Sequence, residues 1–111
     1  MAMTKITDEF LRYMRYEKNR SPLTVKAYHD DLLDFETFFT DRDEALTWQT
    51  VDADIIRDWM EHMMERGNKS ASVNRRLSAV KMLFRFALSR HLVERDPAHM
   101  LEGPKNEKPL P

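Results

Sequence analysis

The chain has 111 residues with 41% hydrophobic and 33% charged side chains, enough apolar material for one domain with its own core and too balanced for a disordered chain. Only 2 Gly are present and the 5 Pro stand singly, which leaves few turn-formers for an all-β protein, and the absence of Cys excludes disulfides and thiol chemistry. No apolar run approaches the roughly 20 residues of a membrane span, and the N-terminus has no signal-peptide pattern, so the composition points to a soluble, intracellular, all-helical domain.

In chain order, Thr4 or Thr7 can cap a first helix to about Asn19, with Ile6, Phe10, Tyr13 and Met14 recurring at helical steps. Ser21-Pro22 supplies a cap and a first helical residue for a second helix over roughly 22–39. Its apolar stripe is Val25, Tyr28, Leu32, Phe35 and Phe39. Residues 40–50 are polar, contain Trp48 alone among large apolar rings, and read as a loop ending at a cap on Thr50 or Asp52. A third helix over about 52–65 carries Ile55, Ile56, Trp59, Met60, Met63 and Met64, and Gly67-Asn68 is a stop signal. Ser70 or Ser72 caps the longest helix, about 71–91, whose stripe is Val73, Leu77, Val80, Phe84 and Leu88. Asp96-Pro97 opens a short C-terminal helix to about Leu101, and Gly103-Pro104 breaks the chain. The fold class is therefore all-α, a small bundle of four main helices plus a short C-terminal helix. The domain covers 1–102, and 103–111 has the composition of a linker.

The net charge of −1 conceals a sorted distribution. Residues 30–65 hold 12 acidic and 2 basic residues, whereas 66–93 hold 7 basic residues and no acid. A basic surface is thus expected on the longest helix. On a wheel of about 100° per residue, Arg75 falls opposite the apolar stripe, flanked by Ser72, Ser78 and Ala79, with Arg76 at the stripe's edge. Small neighbours around an arginine allow close approach to a DNA groove and a bidentate contact with guanine. Thr24, Lys26 and the free N–H groups at Ser21–Thr24 offer a phosphate seat at the second helix. His29, His62, His91 and His99 lack metal-ligand spacing, no Gly-rich phosphate loop exists, and the acidic residues 30–44, including Asp31 and Asp34, read as a solvated face. No metal, cofactor or catalytic residue is expected.

Phe10-Leu11-x-Tyr13, Ser21-Pro22-x-Thr24-x-x-x-Tyr28-x-x-Asp31-Leu32 and Ser70-x-Ser72-Val73-Asn74-Arg75-Arg76-Leu77 resemble the SAM-like N-terminal core-binding domain of tyrosine recombinases of the Xer and phage integrase type. Asp96-Pro97-Ala98 and Pro104-Lys105 through Leu110-Pro111 are similar to that domain's last turn and linker. The resemblance implies double-stranded DNA as partner, with a C-terminal catalytic domain of the same parent chain and neighbouring recombinase protomers. It implies a cytoplasmic protein, and strand cleavage by the parent rather than by this fragment, because no His-x-x-Arg is present and Tyr13, Tyr16 and Tyr28 belong to the N-terminal helices. By position, the DNA-facing residues are Thr24, Lys26, Ser72, Arg75, Arg76 and Lys81; Asp30, on the same face as Lys26, opposes deep contact there. A different reading is a helical protein–protein module that docks a partner on the Met/Trp face of residues 55–64.

Overall fold

A computed structural model describes residues 4–105. Four helices form: α1 Lys5–Arg12, α2 Pro22–Arg42, α3 Ala53–Glu65 and α4 Ser70–Ser89, with no strand among the described residues. The expected first helix continues past α1 as a wider π turn, Tyr13–Glu17, closed by the Lys18 N–H donating to the Tyr13 carbonyl. It stops at Asn19, whose φ of 55° lies in the left-handed region that Asn tolerates better than most residues.

Each remaining boundary has a local cause. The Ser21 side chain accepts from the Thr24 N–H, with Pro22 as the first helical residue, and Asp52 accepts from the Ile55 N–H to start α3. At the end of α3 the Gly67 N–H donates to the Met64 carbonyl and the Asn68 N–H to the Met63 carbonyl, with Gly67 at φ 91°. This is the paired bonding of a Schellman stop. Neither Ser70 nor Ser72 caps α4: Lys69 occupies that position without a side-chain cap bond, and the helix starts at Ser70. The expected short helix after Asp96 is a turn instead. The Asp96 carboxylate accepts from the Ala98 N–H, and the Leu101 N–H closes on the Ala98 carbonyl, with no further helix or turn through residue 105.

Helix α4 is the centre of the bundle, packed on α1, α2 and α3. That explains why Ala79, expected outward beside Arg75, is fully buried. Leu88, expected in the stripe, is exposed, while Phe86 and Ala87 beside it are buried. The core joins Phe10, Leu32, Phe35, Phe39, Trp59 and Phe84 with Trp48 from the interhelical loop. The Trp48 ring meets Phe35, Phe39 and Phe84 with centroids 5.4–5.6 Å away, and its Nε1–H donates to the buried Glu36 carboxylate at 3.1 Å. Fully burying such a ring contributes about 1.5–3 kcal/mol, so this loop is part of the core rather than a tether.

The third helix bears on the docking alternative. Ile56, Trp59, Met60 and Met63 are buried in the same core, and only Met64 of the expected face is exposed. Most of that face is therefore spent on the domain's own core, with Ile55 half-buried.

Candidate nucleic-acid interface

Helix α2 and helix α4 cross so that acids of one meet arginines of the other. The Arg75 guanidinium lies 3.1 Å from Asp31 Oδ1, and Arg76 reaches Asp31 at 3.7 Å and Asp34 at 3.4 Å. Asp34 also accepts from the Trp59 Nε1–H at 2.9 Å and faces Arg66 at 3.6 Å. The expected solvated acidic face is therefore corrected here as it is at the buried Glu36: the Asp31 side chain is 6% exposed and that of Asp34 29%. Their burial follows from the wheel, since positions 31 and 34 share the side of α2 turned toward α4.

The two arginines differ in what they leave open. Arg75 keeps 59% of its side chain in solvent and uses one terminal nitrogen on Asp31, leaving the rest of its donor fork free. Arg76, at 24% exposure, is enclosed between Asp31, Asp34 and the Met63 sulfur. Ser72 and Lys81 are half-buried on the same helix, and Lys81 has no carboxylate within 4 Å among the described residues.

On α2, Lys26 projects into solvent but pairs with Asp30 at 2.9 Å one turn on, as the sequence warned. Lys26 first and His29 second hold the Asp30 carboxyl below the usual carboxylate range. Thr24 donates its N–H to Ser21 and accepts from the Ser21 hydroxyl, so the expected set of free N–H groups is reduced: this one is engaged and Pro22 has none. Lys26 also shares a groove with Arg12, Arg15 and His29 on the α1 side of α2, away from the side that carries Asp31. The structure thus brings Arg75 and Arg76 together on Asp31 and places Lys26 apart from them.

One feature had no sequence signal beyond its residue types. The Asn74 side-chain amide donates to the Ser70 carbonyl at 2.9 Å and to the Pro104 carbonyl at 2.7 Å. Gly103 lies so close that an added Cβ would stand 1.8 Å from Asn74 Oδ1. The segment leaving the bundle is thereby fastened to α4 one residue before Arg75. Residues 106–111 of the expected linker lie outside the described residues.

An all-α bundle with an arginine-bearing central helix is the class that fold and site define. Residues 7–91 match the phage integrase N-terminal SAM-like domain, and the chain belongs to that family. It is 34% identical over 108 residues to the tyrosine recombinase XerC of Pelotomaculum thermopropionicum, covering 94% of this chain and 35% of that protein. It is 37% identical over 107 residues to the tyrosine recombinase XerD of Bradyrhizobium diazoefficiens, covering 96% of this chain and 33% of that protein. The chain spans about a third of the length of the curated relatives it matches. No solved structure matches it. No helix among the described residues is long and apolar enough to cross a membrane.

Proposed function

We propose that this chain is the DNA-binding arm of a site-specific tyrosine recombinase of the cytoplasm. It grips one side of a recombination half-site while a catalytic domain of the same parent chain, joined through residues 103–111, supplies cleavage and joining. Neighbouring protomers assemble on the same DNA. The observation that carries this reading is that relatives named tyrosine recombinases align with nearly all of the chain while it covers only a third of each.

The geometry supports a division of labour within the six candidate residues. Asp31 restrains Arg75 before DNA arrives, which lowers the ordering cost of a directional contact. It also offsets part of the arginine's charge, so a hydrogen-bonded base edge suits Arg75 better than a bare phosphate. Arg76 serves as a positioning residue that holds Asp31 and Asp34. Thr24, Lys26, Ser72 and Lys81 supply backbone contacts, Lys26 by exchanging Asp30 for a phosphate.

The test is competition between a half-site duplex recovered by in vitro selection and scrambled DNA. Arg75→Ala is expected to cost about 1–3 kcal/mol on the selected site and relax preference at one base pair. Lys26→Ala should weaken both duplexes alike and lower the salt slope by about one unit at most. An unchanged selected-to-scrambled ratio in folded Arg75→Ala would remove the base-reading role. A binding constant indifferent to salt would remove the DNA reading itself.

A further inference from the structure

The cations of the proposed interface do not account for a second basic groove of the molecule. Between the π turn and the C-terminal half of α4 lies a groove of about 450 Å³. Tyr13, Met14, Met82 and Phe86 line its floor, and Lys18, Arg20, Arg85 and Arg90 stand around it. Arg90 is already engaged, bonded to Glu17 at 3.1 Å and stacked over Tyr13 and Phe86. Lys18, Arg20 and Arg85 are exposed, and none has a carboxylate within 4 Å among the described residues. Lys18 Nζ rests 5.7 Å from the Tyr13 ring centroid, which steers it without neutralising it.

We infer that Lys18, Arg20 and Arg85 form a second phosphate-binding track for duplex DNA, in line with Arg75; the inference rests on the proposed DNA-binding role. Positions 75, 78, 82, 85 and 89 recur at steps of 3 and 4 and are all exposed or half-buried, so one solvent-facing stripe runs from Arg75 into the groove. Ten residues separate Arg75 from Arg85, about 15 Å along the axis at 1.5 Å per residue. That spans roughly four base pairs at ~3.4 Å each. A strand read at Arg75 is therefore long enough to present a phosphate at Arg85. The three cations come from two separate elements and surround an open groove, an arrangement suited to a polyanion passing across them rather than to an enclosed small molecule. Their lack of carboxylate partners fits the same role, since no internal ion pair has to break before a phosphate binds. Glu17 sits beside Arg90, which places the track on the Lys18 and Arg85 side.

The experiment measures binding of the selected half-site duplex across a salt series for the whole chain and for the double variant Arg20→Gln with Arg85→Gln. Both side chains are exposed, and thermal melting checks that the fold is kept. The expected result is a salt slope lower by about two units and affinity at 0.1 M salt lower by about tenfold or more, with the selected-to-scrambled ratio unchanged. The single variant Lys18→Gln should lower the slope by about one. A wild-type slope retained by both variants would overturn the track while leaving DNA binding intact. No binding by the unmodified chain would overturn the track together with the function it rests on. Displacement of DNA by a mononucleotide at micromolar concentration, lost in the double variant, would also overturn it, because the groove would then be a small-molecule site.

Discussion

The two halves of α4 carry the same charge and both bury apolar residues, but only one of them adds polar ties. In the N-terminal half Arg75 and Arg76 are tied to Asp31 and Asp34, and Asn74 is tied to Pro104, so polar groups add to the burial of Val73, Leu77 and Ala79. In the C-terminal half Leu83, Phe84, Phe86 and Ala87 fix it by apolar burial, and Arg85 has no carboxylate partner among the described residues. A restrained, partly neutralised arginine has direction and little net attraction. An unrestrained one has attraction and little direction. The proposed reading at Arg75 and holding at Arg85 follow from that contrast.

The strongest way to break the contrast is Asp31→Ala. Removing the acceptor leaves Arg76 enclosed with only Asp34 and frees Arg75. Breaking a buried pair from one side costs about 3–5 kcal/mol, but Arg75 is more than half exposed, so a loss of about 2–3 kcal/mol in urea unfolding is expected. A loss below about 0.5 kcal/mol, within the ordinary range of surface substitutions, would mean that apolar burial holds both halves of the helix alike.

This network marks the limit of what sequence periodicity can reach. The apolar stripes, the Ser21-Pro22 start and the Gly67-Asn68 stop are local, and apart from the exposed Leu88 and Met64 they sit where spacing and cap chemistry put them. Arg75 and Asp31 are 44 positions apart, and Asn74 and Pro104 are 30 apart, so neither pairing leaves a trace in local spacing. The wheel placed Arg75 outward because it measures the angle to the helix's own stripe. It misplaced Ala79 because it carries no information about how many neighbours pack around α4. Trp48 does lie in a loop, but its burial escapes local spacing for a related reason: a single aromatic ring has no period, and its burial depends on Phe35, Phe39 and Phe84 arriving from two helices.

Gly103→Ala probes the other tie of the N-terminal half. Its Cβ would meet Asn74 Oδ1 at 1.8 Å, so the amide must turn away and surrender its bond to Pro104. One lost hydrogen bond plus local crowding is expected to cost about 1–2 kcal/mol. Asn74→Ala should cost a similar amount, and the double variant should cost little more than either single one, because the same contact is removed twice. Additive losses in the cycle would show that Gly103 and Asn74 stabilise the domain independently.

The smallest effect expected concerns how α4 ends. Its stop uses the same bonds as that of α3, with the His91 N–H on the Leu88 carbonyl and the Leu92 N–H on the Ala87 carbonyl. Where α3 has Gly67, however, α4 places His91 in the left-handed region at φ 59°. A side chain with a Cβ is strained there, whereas glycine is not. The exposed His91 makes no side-chain hydrogen bond or salt bridge among the described residues that would compensate. His91→Gly is therefore expected to raise stability by about 0.5–1 kcal/mol, since relief of strain exceeds the added freedom of the unfolded chain. Gly67→Ala is the matched control: nothing lies within 4 Å of its added Cβ, so its expected loss of about 1 kcal/mol is conformational alone. If Gly67→Ala destabilises while His91→Gly gains nothing, the imidazole makes a compensating contribution, and the C-terminal half of α4 is held by more than apolar burial.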